Sequence, residues 1–74
     1  MTRGLFNWTF YDVKKFLEEH GFVRYHTEGS HYYFVGNKGR VVQVPFHGSK
    51  VLKVRTLKGI MRQSGISVDV WRNF

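Results

Sequence analysis

Gly29-Ser30-His31-Tyr32-Tyr33-Phe34-Val35-Gly36-Asn37-Lys38-Gly39-Arg40-Val41-Val42-Gln43-Val44-Pro45 decides how the chain folds. His31 to Val35 is rich in aromatic and β-branched residues, which suit a pleated, half-buried strand. Gly36-Asn37-Lys38-Gly39 follows, and Gly and Asn tolerate the positive φ of a hairpin turn. Arg40 to Val44 is the next strand, closed by Pro45, which has no N–H to offer a ladder. Upstream, Gly29-Ser30 breaks the chain after a further strand, Val23 to Thr27. That strand is expected to alternate, with Val23 and Tyr25 on one face and Arg24 and His26 on the other. Short connections make the three strands an antiparallel meander.

Outward from the meander lie two helical patterns. Phe10, Val13, Phe16 and Leu17 form one stripe of a helix spanning Phe10 to His20, with Thr9 as N-cap and Asp12 near its positive start. Gly21 supplies the left-handed residue after it, and Phe22 can fold back onto the last turn. Leu57, Ile60 and Met61 mark a second helix from Arg55 to Ser64, ended by Gly65. Ser67 caps a short final turn with Asp69 inside it, and Val70, Trp71 and Phe74 are its docking groups. Residues 1–8 show no period and form an arm, 9–67 the core and 68–74 the terminal turn of one domain. The class is α+β in the order α-β-β-β-α: a three-stranded sheet with two helices on one face and the other face open.

A 74-residue chain buries only about 60% of its unfolded surface, so the core is thin and an enclosed substrate cavity is not expected. Twelve Lys and Arg against five Asp and Glu give a formal charge of +7, which favours a polyanionic partner. There is no cysteine, hence no disulfide and no thiolate metal site. No signal-like start and no membrane-length apolar run is present, and a cytoplasmic protein is expected.

Gly29-Ser30-His31 resembles the glycine-serine-histidine signature of the HicA toxin family. Val42-Gln43-Val44-Pro45-Phe46-His47-Gly48 resembles the family's third strand and following loop. Thr56-Leu57-Lys58-Gly59-Ile60-Met61-Arg62-Gln63-Ser64-Gly65-Ile66 resembles its second helix. The likeness runs from about Thr9 to Ser67. It implies a double-stranded-RNA-binding-domain-like fold, a toxin that cleaves messenger RNA, and a partner antitoxin, HicB, that covers the toxin. The family's functional histidine falls on His31.

Read alone, His31 is more often a strand histidine that merely hydrogen-bonds, and it is the surrounding motif that turns the reading toward a site. Parity puts His31, Tyr33 and Val35 on one strand face and the large rings of Tyr32 and Phe34 on the other, so His31 should look out from the open face. An unperturbed imidazole titrates at about 6.5 and can give or take a proton near neutral pH. RNA cleavage needs a base for the 2′-hydroxyl proton and an acid for the leaving oxygen. Ser30 is turn chemistry first, with its hydroxyl counted among candidate RNA contacts, and Tyr33 can stack on a base. Lys50, Lys53, Arg55 and Lys58, with Arg62, are candidate phosphate contacts in the basic loop and second helix. His26 and His47 both stay open as a second acid–base group. His20, at a helix C-terminus, is assigned none. No metal-ligand spacing appears among the histidines and acids, so no cofactor and metal-independent chemistry are expected. Two other readings compete: a non-catalytic RNA-binding module of the same fold, and a protein-interaction domain with a basic face.

Overall fold

The computed structural model describes residues 7–74. The first six residues of the expected N-terminal arm lie outside the described residues. The elements are α1 (Phe10–Glu19), β1 (Val23–Glu28), β2 (His31–Val35), β3 (Val41–Pro45), α2 (Val54–Ser64) and α3 (Val68–Arg72). The strands form one antiparallel sheet in the order β1-β2-β3. The α-β-β-β-α order is the one expected, and element ends differ from the sequence expectation by about a residue, where helices and strands fray.

α1 begins at a reciprocal cap. The Asp12 N–H donates to Thr9 Oγ1 at 3.3 Å, and the Thr9 N–H donates to Asp12 Oδ2 at 2.8 Å. Two otherwise orphaned backbone donors are thereby satisfied. The helix closes one residue earlier than expected, with His20 as its cap. Gly21 at φ 86 lets the Phe22 N–H reach Leu17 O at 2.9 Å and the Gly21 N–H reach Glu18 O at 3.3 Å. This paired closure folds Phe22 back into the core, as the sequence suggests.

The core is built from Phe10, Val13, Phe16 and Leu17 of α1, Leu57, Ile60 and Met61 of α2, and Phe34, Val42 and Val44 of the sheet. Tyr32 packs against it from the same sheet face, so parity assigned the inner face of β2 correctly. Trp8, read as part of an arm without a period, is a fully buried core residue. It meets Trp71 at 5.4 Å and Phe16 at 6.0 Å between ring centroids. Of the three expected docking groups near the C-terminus, Trp71 is fully buried and Phe74 is half-buried against the core, but Val70 is exposed.

β1 departs from the expectation in two ways. It contributes no residue to the core, and every residue in it is exposed, so the helices cover β2 and β3 but not β1. Its alternation is also broken. Arg24 pairs with Phe34 and His26 with Tyr33, which leaves Tyr25 as an extra residue in a bulge. Simple alternation fails here because a bulge sets two residues against one and resets the parity beyond it. Arg24 and His26 therefore lie on opposite faces, not on the same one.

Candidate functional site

Gly29 and Ser30 form a two-residue loop between the paired residues Glu28 and His31, and Gly29 has a φ of 59. Glycine in the first position of such a loop takes the positive φ without a Cβ penalty. The turn makes His31 the first residue of β2, across from Glu28 on one side and Pro45 on the other. His31 is exposed, and among the described residues no hydrogen bond or ion pair engages its ring.

Regular pairing outward from the Gly29-Ser30 turn completes the arrangement on this open face. His26 sits across from Tyr33, with ring centroids 5.3 Å apart, and Tyr25 lies 6.3 Å from Tyr33. His26 Nε2 is 3.6 Å from Glu28 Oε1, an ion-pair distance when the imidazole is protonated. His26, Glu28, His31, Tyr25 and Tyr33 thus share one solvent-facing surface, with Gln43 on the far side of Tyr33. Parity within β1 alone could not show this. Counting outward from the Gly29-Ser30 turn was the available signal, because it aligns Glu28 with His31 and His26 with Tyr33. Among the described residues, no three His, Asp or Glu side chains converge closely enough to hold a metal ion.

The basic loop begins beside this surface. The Phe46 N–H donates to Ser30 O at 2.6 Å, which ties the exit of β3 to the turn bearing His31. Further along, Val51 bridges to Thr9, and the Leu52 N–H donates to Trp8 O at 2.7 Å, fixing the loop against the start of the fold. Lys50 and Lys53 line a hollow of about 320 Å³ with His47 and Thr56. Lys53 is the N-cap of α2 and makes no capping hydrogen bond, and no acid lies in the first turn. This is an electropositive helix start with backbone donors that no side chain caps.

The candidate cations do not form one cluster. Arg55 is exposed and does not line the loop hollow. Lys58 lies with Arg62 and Arg72 around a separate hollow of about 660 Å³ between α2 and α3. His20 is accounted for within the fold. Its Nδ1 lies 2.8 Å from Phe16 O and must carry the hydrogen, since a carbonyl only accepts, and its ring stacks on Phe16 at 4.1 Å.

Among the described residues, no helix is long and apolar enough to cross a membrane. A search of curated proteins finds no match to the chain. The family model described as HicA toxin of bacterial toxin-antitoxin matches residues 10–66, well over half of the sequence, from the first residue of α1 to just past the end of α2. The matched span takes in the glycine-serine turn, the exposed His31 and the basic loop, and the chain belongs to the HicA toxin family of bacterial toxin–antitoxin systems.

Proposed function

We propose that this toxin is a metal-independent endoribonuclease that cleaves messenger RNA in the cytoplasm, with His31 as an acid–base residue. The observation that carries this reading is the placement of His31: exposed at the head of β2, without a side-chain partner among the described residues, and beside a basic loop. An accessible imidazole next to a track of cations suits proton transfer on a phosphodiester. Lys50 and Lys53 would take phosphates at the start of α2, with Arg55 exposed on its first turn, and Lys58 would meet RNA at a second, separate contact beside Arg62 and Arg72. Tyr33 would stack on a base, and the Ser30 hydroxyl would meet the backbone near the cut.

The same open face suits a HicB-type antitoxin. It exposes Tyr25 near His26 and Val23 and Val41 toward the far end of the sheet, a mixture of apolar surface and charge that fits a protein partner. Acidic groups on that partner would meet the basic loop where RNA phosphates otherwise sit.

The test is expression and cleavage with His31→Ala. The wild-type chain alone should arrest growth and fragment messenger RNA, leaving 2′,3′-cyclic or 3′-phosphate ends, in the presence of a chelator. The folded His31→Ala protein should do neither. Full cleavage by that variant would return the chain to a non-catalytic RNA-binding module contaminated by another nuclease, or to a different active residue.

A further inference from the structure

We propose that His26 is the second acid–base residue of the site, positioned by Glu28, and that it protonates the leaving oxygen while His31 takes the 2′-hydroxyl proton. This rests on the reading of His31 as a residue of RNA cleavage.

Three observations converge on it. Regular pairing outward from the Gly29-Ser30 turn puts His26 on the same face as His31, across from Tyr33, the residue two places on from His31. Glu28 is the cross-strand partner of His31, and its carboxylate lies 3.6 Å from His26 Nε2. Among the described residues, Glu28 is the acid on this face, paired across the strands with His31 and within reach of the His26 ring. Both histidines and Glu28 are exposed, so a strand of RNA can reach all three. Among the described residues, the other polar groups on the face are the Tyr25 and Tyr33 phenols and the Gln43 amide. His47, the other histidine near the loop, instead lines the hollow with Lys50 and Lys53.

The geometry divides the roles. Only a protonated imidazole forms an ion pair with Glu28, and that partner is turned toward His26. Among the described residues no ion pair engages His31, which leaves its ring nitrogens open to the 2′-hydroxyl. In the step, the 2′-oxygen bonds to phosphorus and its proton passes to His31. The bond from phosphorus to the 5′-oxygen breaks, and that oxygen receives the proton from His26. The products are a 2′,3′-cyclic phosphate and a 5′-hydroxyl, and no other reactant is consumed.

The experiment uses the full chain and an RNA oligonucleotide spanning a mapped cut site, made in two forms. One form has the natural 5′-oxygen at that linkage. The other has sulfur there, a leaving group that departs without protonation. The wild type should show a bell-shaped pH profile of kcat on the natural RNA. His26→Ala should lose roughly 100-fold or more in kcat with KM little changed. It should also lose one limb of the bell and recover most of the rate on the sulfur substrate. Glu28→Gln should displace the limb that His26 sets. His31→Ala should stay inactive on both substrates. His26 lies on an exposed strand outside the core, so an unchanged Tm will show that the variant is folded. The proposal is overturned if His26→Ala keeps both limbs, or if its loss is the same on both substrates. It is equally overturned if His47→Ala is the variant that sulfur rescues. Activity in His31→Ala would instead overturn the underlying assignment of cleavage to His31, a separable result.

Discussion

At the scale of single residues, the chain shows how much a missing Cβ can decide. Gly65 ends α2 at φ 73, and a Cβ there would lie 2.5 Å from Arg40 Nε. The Arg40 guanidinium occupies that space, with Nη1 3.3 Å from Gln63 O near the negative end of the helix. Gly39 has a similar φ of 75 but open space around it. Gly39→Ala should therefore show the backbone strain alone, roughly 1–2 kcal/mol. Gly65→Ala should cost more, because Arg40 must also leave its place. Denaturant unfolding of the two variants measures the difference, and equal losses would mean that the Arg40 contact contributes nothing. The end of α2 at Gly65 was legible in the sequence. The role of Arg40 was not, because it lies 23 residues from the carbonyl it meets.

At the scale of elements, legibility followed periodicity. β2 was readable from His31 to Val35, and the stripe Phe10, Val13, Phe16, Leu17 gave α1, because burial on one face imprints a repeat on the sequence. Trp8 and Tyr25 were not readable for the opposite reason. Trp8 is buried by rings from α1 and α3, and Tyr25 is displaced by the way β1 pairs with β2, and neither leaves a local repeat. His31 was therefore placed correctly on the open face, while its neighbourhood with His26 and Glu28 emerged only from strand pairing. The loop before α2 carries a prediction of its own. If Lys50, Lys53 and Arg55 each meet one phosphate, replacing all three with Ala should flatten the slope of log affinity against log salt by about 2 for single-stranded RNA. Fluorescence titration of the catalytically inactive His31→Ala protein across a salt series measures it. An unchanged slope would move the phosphate track to Lys58, Arg62 and Arg72.

At the scale of the whole molecule, the fold is a slab of 31 × 26 × 18 Å with its helices on one side and the proposed site on the other. The sides are unequal in stability. Phe34, Val42 and Val44 tie β2 and β3 into the core, while β1 is an edge strand paired to β2 that adds no buried residue to the core among the described residues. A strand held along one edge, with no buried side chain, opens at lower free energy than the rest of its sheet. Backbone amides of His26 and Glu28 should then exchange with deuterium well before those of Phe34 and Val42, a difference that NMR can follow directly. Exchange at a single common rate across the sheet would contradict it. Half of the proposed reactive surface thus rides on the segment expected to let go first. On warming, the toxin should lose its competence while most of the domain is still folded, and whatever clamps β1 in place will govern how long it remains armed.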